Sequence, residues 1–117
     1  MHVYSSPLLL DIDRAIPAGL IVNELVTNAL MHAFPNQRRG QVWVALEQHG
    51  DLVTLTVADD GVGMPSTIDI EHVRSFGLSI TQTLAKQLEA TVSLSREHGT
   101  AIRVEFPIAP RQVDQAA

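Results

Sequence analysis

The sequence predicts an α+β fold: a two-layer α/β sandwich whose mixed, mostly antiparallel sheet carries its helices packed on one face. Three observations predict it. The apolar pattern reads, in order, as strand, helix, two strands, loop, helix and two strands. Both strand pairs are joined by short turns, around His49-Gly50-Asp51 and around His98-Gly99, and turns that tight join antiparallel neighbours. Each helical stretch has a single apolar arc, enough to cover one side of a sheet.

Leu8-Leu9-Leu10-Asp11-Ile12 reads as a short strand. A loop then runs to Pro17, which suits the first turn of a helix because the N–H it lacks has no intrahelical partner there. From Pro17 to about Phe34, Val22, Leu25, Val26, Ala29, Leu30 and Ala33 share one broad arc at ~100° per residue. Pro35-Asn36 stops that helix. Val42, Val44 and Leu46 alternate with Trp43 and Ala45, and Val53, Leu55 and Val57 alternate with Thr54 and Thr56. That is the period of strands with one buried face.

The stretch from Asp60 to about Ser75 has little periodicity and is long for a plain connector, as lids and binding loops often are. A second helix is predicted from about Gly77 to Glu89, with Leu78, Thr81, Leu84, Ala85 and Leu88 at helical spacing. Thr91-Val92-Ser93-Leu94-Ser95 and Ala101-Ile102-Arg103-Val104-Glu105-Phe106 form the closing hairpin. After Pro107 the chain reads as frayed, so residues 1–107 are assigned to one domain and 108–117 to a disordered tail.

Bulk properties exclude several classes of function. The 117 residues suffice for one domain with a core. No apolar run approaches the ~18 residues of a membrane span, and no signal peptide pattern opens the chain. With no cysteine there are no disulfides, thiolate metal sites or cysteine nucleophiles. A formal net charge of −5 disfavours a nucleic-acid surface, and the adjacent Arg38-Arg39 pair reads as a solvated turn. The expectation is a soluble cytoplasmic domain, monomeric in isolation and without direct membrane contact.

Chemistry gathers in two places. On the first helix Glu24, Asn28 and His32 fall four residues apart and drift only ~40° from one to the next. Glu24 and His32 alone read as a solvent-facing stripe. Asn28 is different, since asparagine is a weak helix former unless its amide is needed, and an amide oxygen is a hard, neutral ligand suited to Mg²⁺. Asp59 shares strand parity with Val53, Leu55 and Val57, which turns its carboxylate toward the helices and into an apolar layer. Burial there is costly unless something donates hydrogen bonds, as an exocyclic amine such as adenine's can. The alternative is that the strand has already ended and Asp59 opens a turn.

Gly61 and Gly63 follow, where the backbone passes close to a flat ligand or takes positive φ. Thr100 shares parity with Ile102, Val104 and Phe106, so its hydroxyl points either into the same pocket or into a simple β-turn. Ser75-Phe76-Gly77-Leu78-Ser79, with Arg74 before it, opens the second helix, where free N–H groups suit a phosphate. No Gly-Lys-Ser/Thr follows, so this is not a Walker-type loop.

In that order the segments resemble the histidine-kinase-like ATPase domain, the Bergerat fold shared by sensor histidine kinases, gyrase, the Hsp90 chaperones and the MutL proteins. Asn23-Glu24-Leu25-Val26-Thr27-Asn28-Ala29-Leu30-Met31-His32-Ala33-Phe34-Pro35 is similar to the N box, in the version found in histidine kinases of the HisKA_2 type. Asp59-Asp60-Gly61-Val62-Gly63 resembles the G1 box, Phe76-Gly77-Leu78 a reduced G2 box, and Gly99-Thr100 the closing Gly-Thr element. The resemblance covers residues 8 to 107.

It implies that ATP and Mg²⁺ are the cofactors. Asn28 would ligate Mg²⁺, Asp59 would bind the adenine amino group, and Gly61 and Gly63 would shape the base pocket. Gly77 and Leu78 would meet the phosphates, and Thr100 would support the adenine side. His32 stands where the family often carries a basic residue near the phosphates. Glu24 matches the general base of the hydrolytic relatives; in a kinase it would polarise the acceptor or organise Mg²⁺.

The lid between the G1 and G2 boxes is short, the G2 region has one glycine where many kinases have more, and no clear F box is present. None of His2, His32, His49, His72 or His98 lies in the helical hairpin where that family carries its reactive histidine. The resemblance therefore implies the catalytic domain of a histidine protein kinase in a two-component system. It would act on a dimerisation and phosphoacceptor domain in the same parent chain or a separate protein, with a response regulator downstream. The alternatives on this fold are an anti-sigma-factor-type serine kinase, a hydrolytic ATPase, and a nucleotide-binding module without transfer.

Overall fold

Alternating apolar residues and two amphipathic helices build seven elements: β1 (His2–Ser5), α1 (Ile12–His32), β2 (Val42–His49), β3 (Leu52–Asp59), α2 (Leu78–Leu88), β4 (Thr91–Ser95) and β5 (Thr100–Pro107). They are seen in a computed structural model that describes residues 1–32, 40–61, 78–95 and 99–109. The strands form one sheet in the order β1-β2-β3-β5-β4. β1 runs parallel to β2 and every other pair is antiparallel. The α+β prediction of a mixed, mostly antiparallel sheet holds.

The registers decide which ends meet. Because β1 and β2 are parallel, α1 between them must run back along the sheet. β3 and β4 point opposite to β2, so α2, which leads into β4, runs antiparallel to α1. A contact between the ends agrees: Arg14 near the start of α1 reaches the Leu88 carbonyl at the end of α2. Thus the last turns of α1, the first turn of α2, the end of β3 and the starts of β2 and β5 all lie at one end of the sandwich. The pairings Val42↔Asp59 and Asp59↔Thr100 bring those three strand ends side by side.

One face of the sheet makes the core. Val42, Val44, Val53, Leu55, Val57, Ile102, Val104 and Phe106 are buried against Ala18, Ile21, Leu25 and Ala29 of α1 and Leu88 of α2. Phe106, Ile21, Leu55, Val53 and Val104 are fully enclosed, and each such side chain contributes roughly 1.5–3 kcal/mol of apolar burial. Across the other face His2 stacks on Trp43, with ring centroids 5.7 Å apart.

Three expectations need correction. Leu8–Ile12 is not a strand; the strand is His2–Ser5, and Asp11 caps α1 instead. Its Oδ1 accepts the Arg14 N–H at 3.0 Å and its carbonyl accepts the Ala15 N–H at 2.8 Å. A short apolar run cannot tell strand from helix entry by periodicity alone. Second, α1 begins at Ile12, so Pro17 lies inside the helix rather than at its start. Pro17 is buried, and the packing it provides offsets the ladder bond it cannot make.

Third, the apolar arc is centred differently. Ala18, Ile21, Leu25 and Ala29 fall within ~80° of one another and meet the sheet, with Val22 and Val26 at the edge. Leu30 lies ~100° beyond Ala29 and is 59% exposed. The predicted end of α1 at Ala33 and Phe34, the start of the second helix at Gly77, and the 110–117 part of the predicted tail lie outside the described residues. Ile108 N–H donates to the Asp51 carbonyl at 2.7 Å.

α2 ends in a reverse turn with Glu89 at φ 58°. Ala90 N–H reaches the Ala85 carbonyl at 2.8 Å and Glu89 N–H the Lys86 carbonyl at 3.1 Å, the two bonds of a Schellman ending. Leu88 C=O is taken by the buried Arg14 guanidinium at 3.2 Å, and Arg14 also lies 3.7 Å from the Glu89 carboxylate. A cation at a helix C-terminus also opposes the negative end of its dipole. Replacing Arg14 with alanine should therefore destabilise the domain by about 2 kcal/mol, the scale of a hydrogen bond from a charged donor. Urea unfolding of the two proteins measures it.

Candidate functional site

Asp59 is the last residue of β3 and shares the buried face of Val53, Leu55 and Val57, as strand parity predicts; it is 7% exposed. The strand therefore extends through Asp59, and a turn closed by its own side chain follows. One carboxylate oxygen, Oδ1, accepts two backbone donors: Gly61 N–H at 2.9 Å and Thr100 N–H at 3.3 Å. Among the described residues no donor reaches Oδ2. Burial pushes the Asp59 carboxyl above the ordinary aspartate range; the two backbone donors pull it back in part, and the charge of Asp60 adds to the rise.

Gly99 sets up the second donor. Its φ is +95°, which favours glycine, and it lies flat against the β3 end. A Cβ placed there would run into the Asp59 carbonyl oxygen and stand 2.9 Å from the Asp59 carbonyl carbon and 3.0 Å from Asp60 Cα, closer than side chains tolerate. Thr100 is buried on the side of Ile102, Val104 and Phe106, again by parity. The group it presents to Asp59 is its main-chain N–H. A main-chain donor leaves no trace in residue type, so the sequence could point to Thr100 without saying which atom acts.

On the helix wall, Glu24 and Asn28 are half-buried at the shoulder of the core-facing arc of α1. Asn28 Nδ2 is buried without a hydrogen-bond partner. An unsatisfied buried amide is unfavourable by about 1–3 kcal/mol. As placed, the orphan atom is a donor and suits an anionic oxygen; a half-turn of the amide presents Oδ1 to a cation instead. His32 ends α1 at the same end of the sandwich, and Leu78 begins α2 there, each described by its backbone alone. Gly61 is described and already engaged with Asp59. Gly63, Gly77, Arg74, Ser75 and Phe76 lie outside the described residues.

A buried carboxylate at a strand end, an amide without a partner on the facing helix and a helix N-terminus thus meet at one end of the α+β sandwich. The chain belongs to the histidine kinase-, DNA gyrase B-, and HSP90-like ATPase family, whose profile matches residues 13–110. It is similar to the sensor histidine kinase PdtaS of Mycobacterium tuberculosis, with 35% identity over 107 residues, covering 88% of this chain and 21% of that protein. The solved blue-light activated histidine kinase EL346 of Erythrobacter litoralis superposes with a TM-score of 0.87 at 28% identity, over 94% of this chain and 35% of that one.

An anti-sigma F factor of Bacillus licheniformis is 39% identical over 62 residues, covering 53% of this chain and 40% of that protein. The chain thus spans well under half the length of these relatives. It is a histidine-kinase-type ATPase domain, and no helix among the described residues is long and apolar enough to cross a membrane.

Two outcomes follow from the geometry. Gly99→Ala should destabilise the fold by at least about 2 kcal/mol, combining strained φ with the clash against β3, as a thermal melt would report. The raised carboxyl of Asp59 also has a signed effect. The native state holds that proton more tightly than the unfolded chain. Its contribution to stability is therefore fully present below the ordinary aspartate value and is lost as pH rises through the raised one. Asp59→Asn should remove this loss, so the difference in unfolding free energy between variant and wild type should shift toward the variant from acid to neutral pH.

Proposed function

We propose that this domain binds ATP with Mg²⁺ and passes the γ-phosphoryl group to a histidine on a separate dimerisation and phosphoacceptor domain. It would thereby act as the catalytic part of a sensor histidine kinase in two-component signalling, with a response regulator as the next acceptor and the cytoplasm as its place of work. The observation that carries the reading is the Asp59 carboxylate, buried yet held by two main-chain donors on one oxygen. A carboxylate held in this way has acceptor capacity on its second oxygen, and the exocyclic amine of adenine is a donor that fits it.

The other residues supply the remaining parts. Gly61 and Gly63 keep the base wall thin, and Thr100 supports it. Asn28 offers Mg²⁺ one neutral oxygen, a small ligand set of the kind that suits an ion sharing its shell with phosphate and water. When bound, the metal neutralises charge developing on the β- and γ-phosphate oxygens. Leu78, where α2 begins, would meet the phosphates together with Gly77, and His32 would add a donor. Glu24 is a half-buried carboxylate one helical turn before Asn28. It would polarise the attacking imidazole or help to organise Mg²⁺.

In the transfer, an acceptor imidazole nitrogen forms a bond to the γ-phosphorus while the bond from that phosphorus to the β–γ bridging oxygen breaks. ADP leaves, and the imidazole proton goes to solvent or to Glu24. Positioning and electrostatics supply most of the acceleration in such reactions.

A serine kinase of the anti-sigma type is the second reading, favoured by the match to an anti-sigma F factor, though that match covers 53% of the chain against 88% for PdtaS.

Calorimetry should detect ATP and ADP binding that depends on Mg²⁺, and Asp59→Asn should abolish it with the fold intact. Because the carboxylate must be ionised to accept the base, affinity should fall as pH drops through the raised Asp59 range. With labelled ATP the domain alone should stay unlabelled and should label a helical-hairpin acceptor on histidine. Label on serine would favour the second reading; heat-silent titrations would sink both.

A further inference from the structure

Asp60 ends β3 in an unusual way. By the β2–β3 register, which pairs Val42 with Asp59, the next opposed pair is Gln41 and Asp60. In an antiparallel ladder such a pair exchanges two main-chain bonds. One is present, from Asp60 N–H to the Gln41 carbonyl at 3.2 Å. The return bond, from Gln41 N–H, goes to Asp60 Oδ1 at 2.7 Å. The side chain has taken the place of the residue's own carbonyl. That releases the Asp60 peptide from the sheet, and the following N–H, that of Gly61, turns back to Asp59 Oδ1 at 2.9 Å. This is an Asx-type turn, which an aspartate can close through its own side chain.

We propose that Asp60 is a positioning residue for the nucleotide pocket. Its carboxylate supplies the last rung of the β2–β3 ladder, so the chain leaves the sheet at the angle that brings Gly61 N–H onto Asp59 and sets the base wall. The inference rests on the nucleotide-binding reading above. Asp60 does not reach into the core, and its bond to Gln41 is exposed, so water can replace it with little effect on global stability. Position, rather than folding, is what it controls. An asparagine would keep the acceptor oxygen and remove the charge beside Asp59; an alanine would remove both.

The test compares Asp60→Ala, Asp60→Asn and Gln41→Ala in the whole chain. Gln41→Ala keeps the main-chain N–H and loses only the side-chain contact to His2 at 2.7 Å. Amide hydrogen exchange without nucleotide reads the turn itself. Asp60→Ala should speed exchange at Gly61 by about tenfold while the unfolding midpoint stays unchanged. Calorimetry with ATP and Mg²⁺ should show its Kd raised by about fivefold or more. Asp60→Asn and Gln41→Ala should match the wild type in both measurements. Unchanged Gly61 exchange in Asp60→Ala, or an Asp60→Asn variant as impaired as Asp60→Ala, would overturn the proposal. If the wild type binds no nucleotide, the pocket reading fails, and the exchange rates still decide whether Asp60 sets the turn.

Discussion

The end of the domain where β2, β3 and β5 meet is organised around one carboxyl group inside an apolar layer. Asp59 is carried there by strand parity, among Val53, Leu55 and Val57. Its desolvation has to be offset by donors, and the protein supplies them from the main chain rather than from lysine or arginine. Main-chain N–H groups hold a carboxylate without neutralising it, so its second oxygen keeps its acceptor strength. The requirement then spreads outward. Thr100 donates only because Gly99 has positive φ and no side chain against β3. Gly61 donates only because the chain turns back at once after Asp60.

The helices set the opposite wall, and their relation is fixed at the far end. Arg14 holds the C-terminus of α2 through the Leu88 carbonyl, and the Schellman ending stops that helix where β4 must begin. With α1 and α2 antiparallel, a clamp at one end sets the axial position of the other. That is where α2 starts and where Asn28 keeps an unsatisfied amide.

Much of this was legible from periodicity. Alternation placed Asp59 and Thr100 on the buried face, and both are buried. The α+β class and both antiparallel hairpins followed from turn chemistry and spacing. Errors fell where local patterns are ambiguous. Leu8–Ile12 resembled a strand because a short apolar run has no period to read, and Asp11 was passed over as a cap because Pro17 drew the helix start to itself. His2–Ser5 is too short to announce itself, and its parallel pairing with β2 joins residues 41 apart in sequence. Leu30 shares the helical period of the core residues, and only the position of the sheet leaves it exposed.

By itself the sequence determined the class of fold, the inward face of Asp59 and the glycine where β5 begins, because side-chain period and residue type are local properties. Only the tertiary structure decided what those residues do to one another. It showed that Thr100 acts through its main-chain N–H, that Asp60 replaces its own carbonyl in the ladder, and that Asn28 is left without a partner. Each of these is a relation between main-chain or side-chain groups on separate elements. Such relations exist only once the registers of β2, β3 and β5 have brought the strand ends together.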